Sequence, residues 1–533
     1  MKFDYIVVGG GTAGCVVASR LSERQEARVL VVEAGPNDRH PLIPVPGASA
    51  YVAAAPMLNW HRMTQPQETL GGRSLYLAQG RVIGGSSSIN GMVYTRGAPG
   101  DYAEWEKNGA PGWGYDDVLP YFIKAENYSR GANAWHGADG PLKVKHGHSR
   151  FRIVDVFLDA VREVGLPLCD DHSAPQAEGI GLYDWMVGNG RRSGAASAYL
   201  RPVRRRPNLT IHTGAYATRL LVERGRAVGV EYLRNGRAQR ATADGEIILC
   251  GGAINSPQLL MLSGIGPADG LKSAGIDPIV DLPMVGANLS NHLSHKISYR
   301  CSAPISAYGL LHPASGGIEL LKYAFGRSGF LGDGSAPAGG FYRSSDRADR
   351  ADMQIFMVPL ILGGLGNGLR ALLPTEHGLT FFINQGRPFS TGAVRLASRD
   401  PLAAPLIDPR YLADPRDLAV LIDGVERLAP LTETRAFKEI GAQQVGGTVR
   451  ADRAAIAQMI RTDAGNHYHV SGTCRIGPDA CQGVVDSQLR VHGVSGLRIA
   501  DASVMPRPIN ANLAAPVIMI AERAAAFIAG RGI

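Results

Sequence analysis

The chain has 533 residues, 45% hydrophobic, 7% aromatic and 19% charged, with a formal net charge of +8. At ~150 residues per domain it is too long for one ordinary core, and its composition excludes disordered, collagenous and coiled-coil proteins. Its 67 glycines are close to twice the usual ~7% share, which fits a chain wrapped around a large ligand.

Met1-Lys2-Phe3-Asp4 leads straight into a short buried-strand pattern, Tyr5-Ile6-Val7-Val8, with no polar lead or Ala-x-Ala cleavage site. A cytoplasmic location is therefore expected. The turn Gly9-Gly10-Gly11-Thr12-Ala13-Gly14 follows, then a helical run Cys15–Leu21, then a second strand Arg28–Val32 closed by Glu33. In that setting Gly9 permits a tight turn, Gly11 lets backbone approach a pyrophosphate, and Gly14 lets helix pack on strand. The helix N-terminus offers N–H groups to phosphates. Glu33 can accept hydrogen bonds from both ribose hydroxyls and would repel a 2′-phosphate, which favours FAD or NAD over NADP.

Further along, Phe151–Val164 reads as an amphipathic helix ended near Gly165 and Pro167. The basic run Arg201, Arg204, Arg205 and Arg206, interrupted by Pro202 and followed by Pro207, reads as an exposed connection and not as a nucleic-acid patch. Strands are expected at 209–213, 228–232 and 246–250. The longest apolar stretch, Ile355–Gly366, is too short for the ~20 residues of a bilayer span and reads as a buried strand. Ala515–Ile528 reads as a helix with Pro516 near its start. The six cysteines are scattered, with no Cys-x-x-Cys pair and no metal-ligand spacing. No metal site is expected.

Two further blocks decide between FAD and NAD. Gly80-Arg81-Val82-Ile83-Gly84-Gly85-Ser86-Ser87-Ser88-Ile89-Asn90 and Gly252–Gly266 closely resemble the two signature patterns of the glucose-methanol-choline (GMC) flavoprotein oxidoreductases. Asn59-Trp60, Trp135-His136-Gly137, Gly286–Leu289, His469–Thr473 and Asp501–Pro506 extend the resemblance over nearly the whole chain. It implies an α/β fold: a Rossmann-like FAD-binding domain of residues 1–150, 197–300 and 466–533, with an inserted substrate-binding domain of residues 151–196 and 301–465 built on an antiparallel sheet. It implies FAD contacts from Gly9, Gly11, Thr12, Ala13, Gly14, Glu33, Ala34, Arg81, Gly84, Gly85, Ser88, Asn90, Gly91, Met92, Val93, Ala217, Asp501 and Ala502. Some members attach FAD through a histidine in the second loop; Ile89 stands there, so non-covalent FAD is expected.

The resemblance further implies that His469 accepts the hydroxyl proton of an alcohol while the flavin takes the hydride. Asn512, six positions after Pro506, is the second catalytic residue, with Asn510 as the alternative. Here Leu513 and Ala514 replace polar residues common in the family, and Asn291 stands where Asp is common, beside a His292 read as structural. His467, two residues from His469, would face the same side on a strand and reads as packing beneath the flavin. The expected function is FAD-dependent oxidation of a small-molecule alcohol, with O2, a quinone or a redox protein as acceptor. A non-oxidative enzyme of this fold, lyase or photodecarboxylase, is the alternative. The net charge leans toward neutral or anionic alcohols and away from cations.

Overall fold

A computed structural model describes residues 1–362, 374, 376–446 and 452–530 of the chain. Its first segment is β1 (Lys2–Val8), α1 (Thr12–Leu21) and β2 (Val29–Val32). Ile6–Val8 of β1 and the whole of β2 are Val, Ile and Leu covered on both faces, the pattern of a buried parallel sheet. β3 (Leu209–His212), β4 (Ala215–Glu223), β5 (Arg226–Arg234) and β6 (Arg237–Leu249) complete the path β3-β2-β1-β6-β5-β4, and Leu497–Ile499 pairs with β6. The pairs β3–β2, β2–β1, β1–β6 and β6 with Leu497–Ile499 are parallel; β4 and β5 are antiparallel additions.

The register aligns the strand ends. Val8 lies beside Val32 and Leu249, and Val32 lies beside His212. Gly9, Glu33, Cys250 and, after Ile499, Asp501 are therefore delivered to the same carboxyl edge, where open α/β sheets bind ligands. Against this sheet packs α1, and α3 (Ala514–Ile528) packs in turn on α1, while α2 (Gly252–Leu262) follows β6. Most residues of α3 are buried, including Glu522, whose carboxylate pairs with Arg20 of α1 at 2.7 Å and Lys124 at 3.2 Å.

A second, fully antiparallel sheet runs β8-β9-β10-β7, made of β7 (Leu293–Arg300), β8 (Ala338–Tyr342), β9 (Met353–Val358) and β10 (Gly378–Gln385). Gln443–Val445 and Gly465–Asn466 pair with β7. The boundary expected at residue 300 therefore cuts this sheet, because β7 is one of its strands and not part of the parallel sheet. The period-2 pattern of β7 explains it: Leu293, Ile297 and Tyr299 enter the core beneath the sheet, leaving Ser294, Lys296 and Ser298 for the other face. That core is closed by helix Arg152–Val164, ended by a left-handed Gly165 as expected, and by Pro415–Leu428.

The strand expected over Ile355–Gly366 is β9, which starts two residues earlier and ends at Val358; residues 363–366 lie outside the described residues. Among the described residues no helix is long and apolar enough to cross a membrane.

Gly14 shows how tightly the first turn is packed. A Cβ there would lie 1.8 Å from the Gly9 carbonyl oxygen, so a side chain must push α1 off β1. Gly14→Ala should cost about 1–3 kcal/mol of overpacking, read as a lower urea midpoint for the purified variant; an unchanged midpoint would show that the turn can yield.

Candidate active site

The turn after β1 opens onto a cavity of about 1380 Å³. Gly9 takes φ +101°, and a Cβ there would meet Cys250 backbone at 2.5 Å. At Gly11 a Cβ would touch nothing closer than 3.8 Å, so this residue presents bare backbone to the open space. Gly11, Thr12 and Ala13 line the large cavity at the start of α1, facing Gly85, Asn90, Gly91, Met92 and Val93 of the second loop and Asp501 and Ala502 of the third segment. Met92 holds φ +65°, an uncommon conformation for a side-chain-bearing residue. A small adjoining space shares Gly11 and Trp60 with the large cavity and is lined by Gly9, Glu33, Ala34 and Ala217.

Glu33 is buried and accepts hydrogen bonds from Gly10 N at 2.8 Å and Gly35 N at 2.7 Å. Burial pushes its carboxyl up to about 7 against the pull of those two N–H groups and of Arg81. Asp501, also raised by burial, accepts from Ser256 Oγ at 2.6 Å, Gly252 N at 2.8 Å and Ser503 N at 2.8 Å.

Four expected contact residues lie off the cavity walls. Gly14 packs helix on strand. Gly84 N donates to Gly10 O at 2.7 Å and ties the second loop to the first, while Ser88 Oγ donates to Ile83 O at 2.8 Å and braces the second loop internally. The Arg81 guanidinium lies over the Trp60 ring at 5.1 Å, and the wall belongs to Trp60. Conversely, Arg192 went unnoticed in the sequence. It is buried and donates to the backbone and side-chain oxygens of Asn90, both at 2.7 Å, fixing that residue from behind. It lies in a two-residue strand, Arg191–Arg192, whose sequence carries no pattern that would reveal it.

At the other end of the cavity His469 and Asn512 meet, with His469 Nε2 3.3 Å from Asn512 Nδ2. The Asn512 carbonyl oxygen accepts from Thr95 Oγ1 at 3.2 Å and Gln354 Nε2 at 3.1 Å, which turns its NH2 toward the imidazole. His469 Nε2 is then an acceptor, and the ring proton sits on Nδ1, 2.9 Å from His292 Nδ1. Asn510 faces elsewhere: its Nδ2 donates to the Ala351 carbonyl, and it does not line the cavity. His292 thus contacts His469 directly. Asn291 accepts from His469 N at 2.7 Å and donates to the Tyr411 hydroxyl at 2.5 Å.

His467 and His469 do turn toward one another, with ring centroids 5.1 Å apart, but not because they share a strand. The strand ends at Asn466, and Tyr468 between them takes φ +62°. The His467 ring stacks on Phe356 at 4.6 Å and 13°. Burial lowers all three imidazoles: His292 to about 4, His467 to about 3 and His469 well below its ordinary value, the latter two also through repulsion from His292. The cluster is neutral at physiological pH.

The chain is similar along its full length to proteins of known kind. Human mitochondrial choline dehydrogenase is 40% identical, with 99% of this chain and 90% of the relative covered. The alcohol dehydrogenase [acceptor] of Pseudomonas putida is 40% identical, with 99% and 95% covered. A variant of formate oxidase from Aspergillus oryzae superposes with TM-score 0.93 at 27% identity, with 99% and 98% covered. Residues 3–294 and 388–521 match the N- and C-terminal parts of GMC oxidoreductase. With more than half of the chain matched and relatives of 40% identity over 99% of it, this protein belongs to the GMC oxidoreductase family.

Proposed function

We propose that this protein oxidises an alcohol to an aldehyde or ketone using non-covalently bound FAD, with His469 as proton acceptor. The observation that carries this reading is the arrangement of His469 and Asn512, which line the same cavity as the glycine loops and leave His469 Nε2 as an acceptor beside the Asn512 amide. In this reading the parallel sheet carries a Rossmann-like FAD domain of three chain segments, and the antiparallel sheet a substrate-binding domain whose boundary falls before β7.

The residues fit FAD. The cavity is long enough to engage Gly11 at one end and His469 at the other, the bare backbone at Gly11 leaves room for a pyrophosphate, and Glu33 retains acceptor capacity for ribose hydroxyls. The side chain at the family's attachment position is Ile89, which has no nucleophile. When bound, the flavin supplies a hydride-accepting N5 beside the substrate carbon.

The chain supplies the rest. His469 Nε2 takes the hydroxyl proton, and Asn512 Nδ2, already directed at that position, donates to the developing alkoxide oxygen. Thr95 and Gln354 hold the Asn512 amide in the required sense. His292 Nδ1 accepts from His469 Nδ1–H and keeps that proton off Nε2. The acceptor of the electrons is O2, a quinone or a redox protein, and the location is cytoplasmic.

The reading is tested by anaerobic addition of alcohols to the purified protein in the dark: one class should bleach flavin absorption bands, and none doing so would reject alcohol oxidation. His469→Ala should slow that bleaching by about 10²–10⁴-fold with flavin still bound, and a variant reducing at the wild-type rate would remove His469 from the chemistry. Gly11→Val should yield colourless protein, because the side chain fills the space open to the pyrophosphate; a yellow, stoichiometric variant would contradict that placement. The pH dependence follows from the lowered His469: the neutral base persists as pH falls through 6.5, and is lost only well below it. The rate of flavin reduction should therefore stay flat between pH 8 and about 6, where an ordinary imidazole would already lose much of its free base; a half-maximal point near 6.5 would contradict the assignment.

A further inference from the structure

The far wall of the cavity is the face of the antiparallel sheet that carries Ser294, Lys296 and Ser298. Its register places side chains in rows across β9, β10 and β7. Gln354, Asn384 and Ser294 form the first row, Phe356, Phe382 and Lys296 the second, and Val358, Thr380 and Ser298 the third. The first row joins the catalytic end, since Gln354 holds Asn512. The second begins at Phe356, on which His467 stacks, passes Phe382, and ends at an ammonium. With strands ~4.8 Å apart and ~3.4 Å per residue, the Cα atoms of Gln354 and Lys296 lie about 12 Å apart.

Lys296 is half-buried, and its one hydrogen bond among the described residues goes to the Leu362 carbonyl at 2.9 Å. No carboxylate among the described residues lies within ion-pair distance of it. Two of its three N–H donors are thus uncommitted at a cavity wall, where an unpaired charge is costly unless something supplies the counter-charge. The nearest acid in electrostatic terms is Asp463, at the exposed end of helix Arg453–Asp463; it also faces Arg73, whose guanidinium donates to the Arg461 and Ala464 carbonyls. The other lining carboxylate, Asp501, is engaged by Ser256, Gly252 and Ser503 at the nucleotide end. The histidines lining this half, His295, His467 and His469, are held neutral by burial. Among the described residues the substrate end therefore carries Arg73, Lys296 and Asp463 as its charges, and their balance is positive.

A second observation points to a polar occupant. Ser294 Oγ is buried, lines the cavity and has no hydrogen-bond partner among the described residues, and the same holds for both side-chain polar atoms of its cross-strand neighbour Asn384. Buried polar atoms in native proteins are nearly always satisfied, by protein, water or ligand.

We propose that Lys296 anchors an anionic group, so that the substrate is an alcohol bearing a carboxylate at the far end of an apolar spacer, about one aromatic ring or its aliphatic equivalent in length. The carbinol lies at His469 and Asn512, the spacer against Phe356 and Phe382, and the carboxylate at the Lys296 ammonium. A cationic alcohol such as choline would meet an ammonium there where it needs a carboxylate. This assignment of substrate class rests on the alcohol-oxidising reading, whereas the anion site itself does not.

Calorimetric titration of the purified holoprotein with 4-methylbenzoate and octanoate, and with their neutral amides, tests the site without any turnover. The carboxylate of at least one pair should bind about 10- to 100-fold tighter than its amide, the range of a charge-assisted hydrogen bond. Lys296→Met should abolish the difference, and Lys296→Arg should retain most of it. Equal binding of acid and amide in the wild type, absence of binding by both pairs, or a preference that survives Lys296→Met would each overturn the proposal. If Lys296→Met does not fold, the wild-type comparison alone decides. Anaerobic addition of 4-(hydroxymethyl)benzoate then separates the two readings: anion binding without flavin bleaching by any alcohol would leave the site standing and reject alcohol oxidation.

Discussion

The proton acceptor we propose, His469, has to be neutral and to keep its lone pair fixed, and both conditions rest on what surrounds its imidazole. Burial among His292 and His467 removes the charge from His469. The Asn512 amide on one side and His292 on the other assign its two nitrogens opposite roles. The assignment is transmitted through the Asn512 carbonyl to Thr95 and Gln354, so a threonine from the first chain segment and a glutamine from the antiparallel sheet set the tautomer of a histidine from the C-terminal segment. Thr95, Gln354 and His292 are buried, where an unmade hydrogen bond costs ~1–3 kcal/mol, and that cost stiffens the constellation.

The same site needs a large ligand to lie against bare backbone, and the parallel sheet meets this by register. Alignment of Val8, Val32 and Leu249 brings the turns after β1, β2 and β6 to one edge. The glycines then divide the work. Gly11 leaves space for a ligand, whereas Gly9, Gly14 and Gly84 leave space for protein, as the contacts a Cβ would make at each show. Lysine and serines on one face of β7 complete the far wall, so that both sheets contribute to one cavity.

Much of this was legible in local pattern. The strand, glycine turn and helix at 5–21, the strands near 209, 228 and 246, and the helices at 152–164 and 514–528 follow from short-range periodicity and turn chemistry, which depend on neighbours in sequence. Motif order pointed to the family, and counting from Pro506 pointed to Asn512. The errors arose where contacts are distant. The role of β7 could not be read, because an alternating eight-residue run does not say which sheet it joins. His292 reads as structural and does make a hydrogen bond, but its partner His469 lies 177 residues away and could not be named. The reason offered for the meeting of His467 and His469 failed on the backbone of Tyr468, whose left-handed conformation no residue type announces.

The sequence by itself therefore determined the elements, the family and which two residues are proposed for the reacting end, since each is written in residues near one another along the chain. Only the tertiary structure decided which glycines face a ligand and which face protein, which nitrogen of His469 carries its proton, and that Lys296 stands at the cavity wall with donors to spare. These depend on atoms brought together across hundreds of residues, and hydrogen bonding and burial act on distance in space, not on separation in sequence.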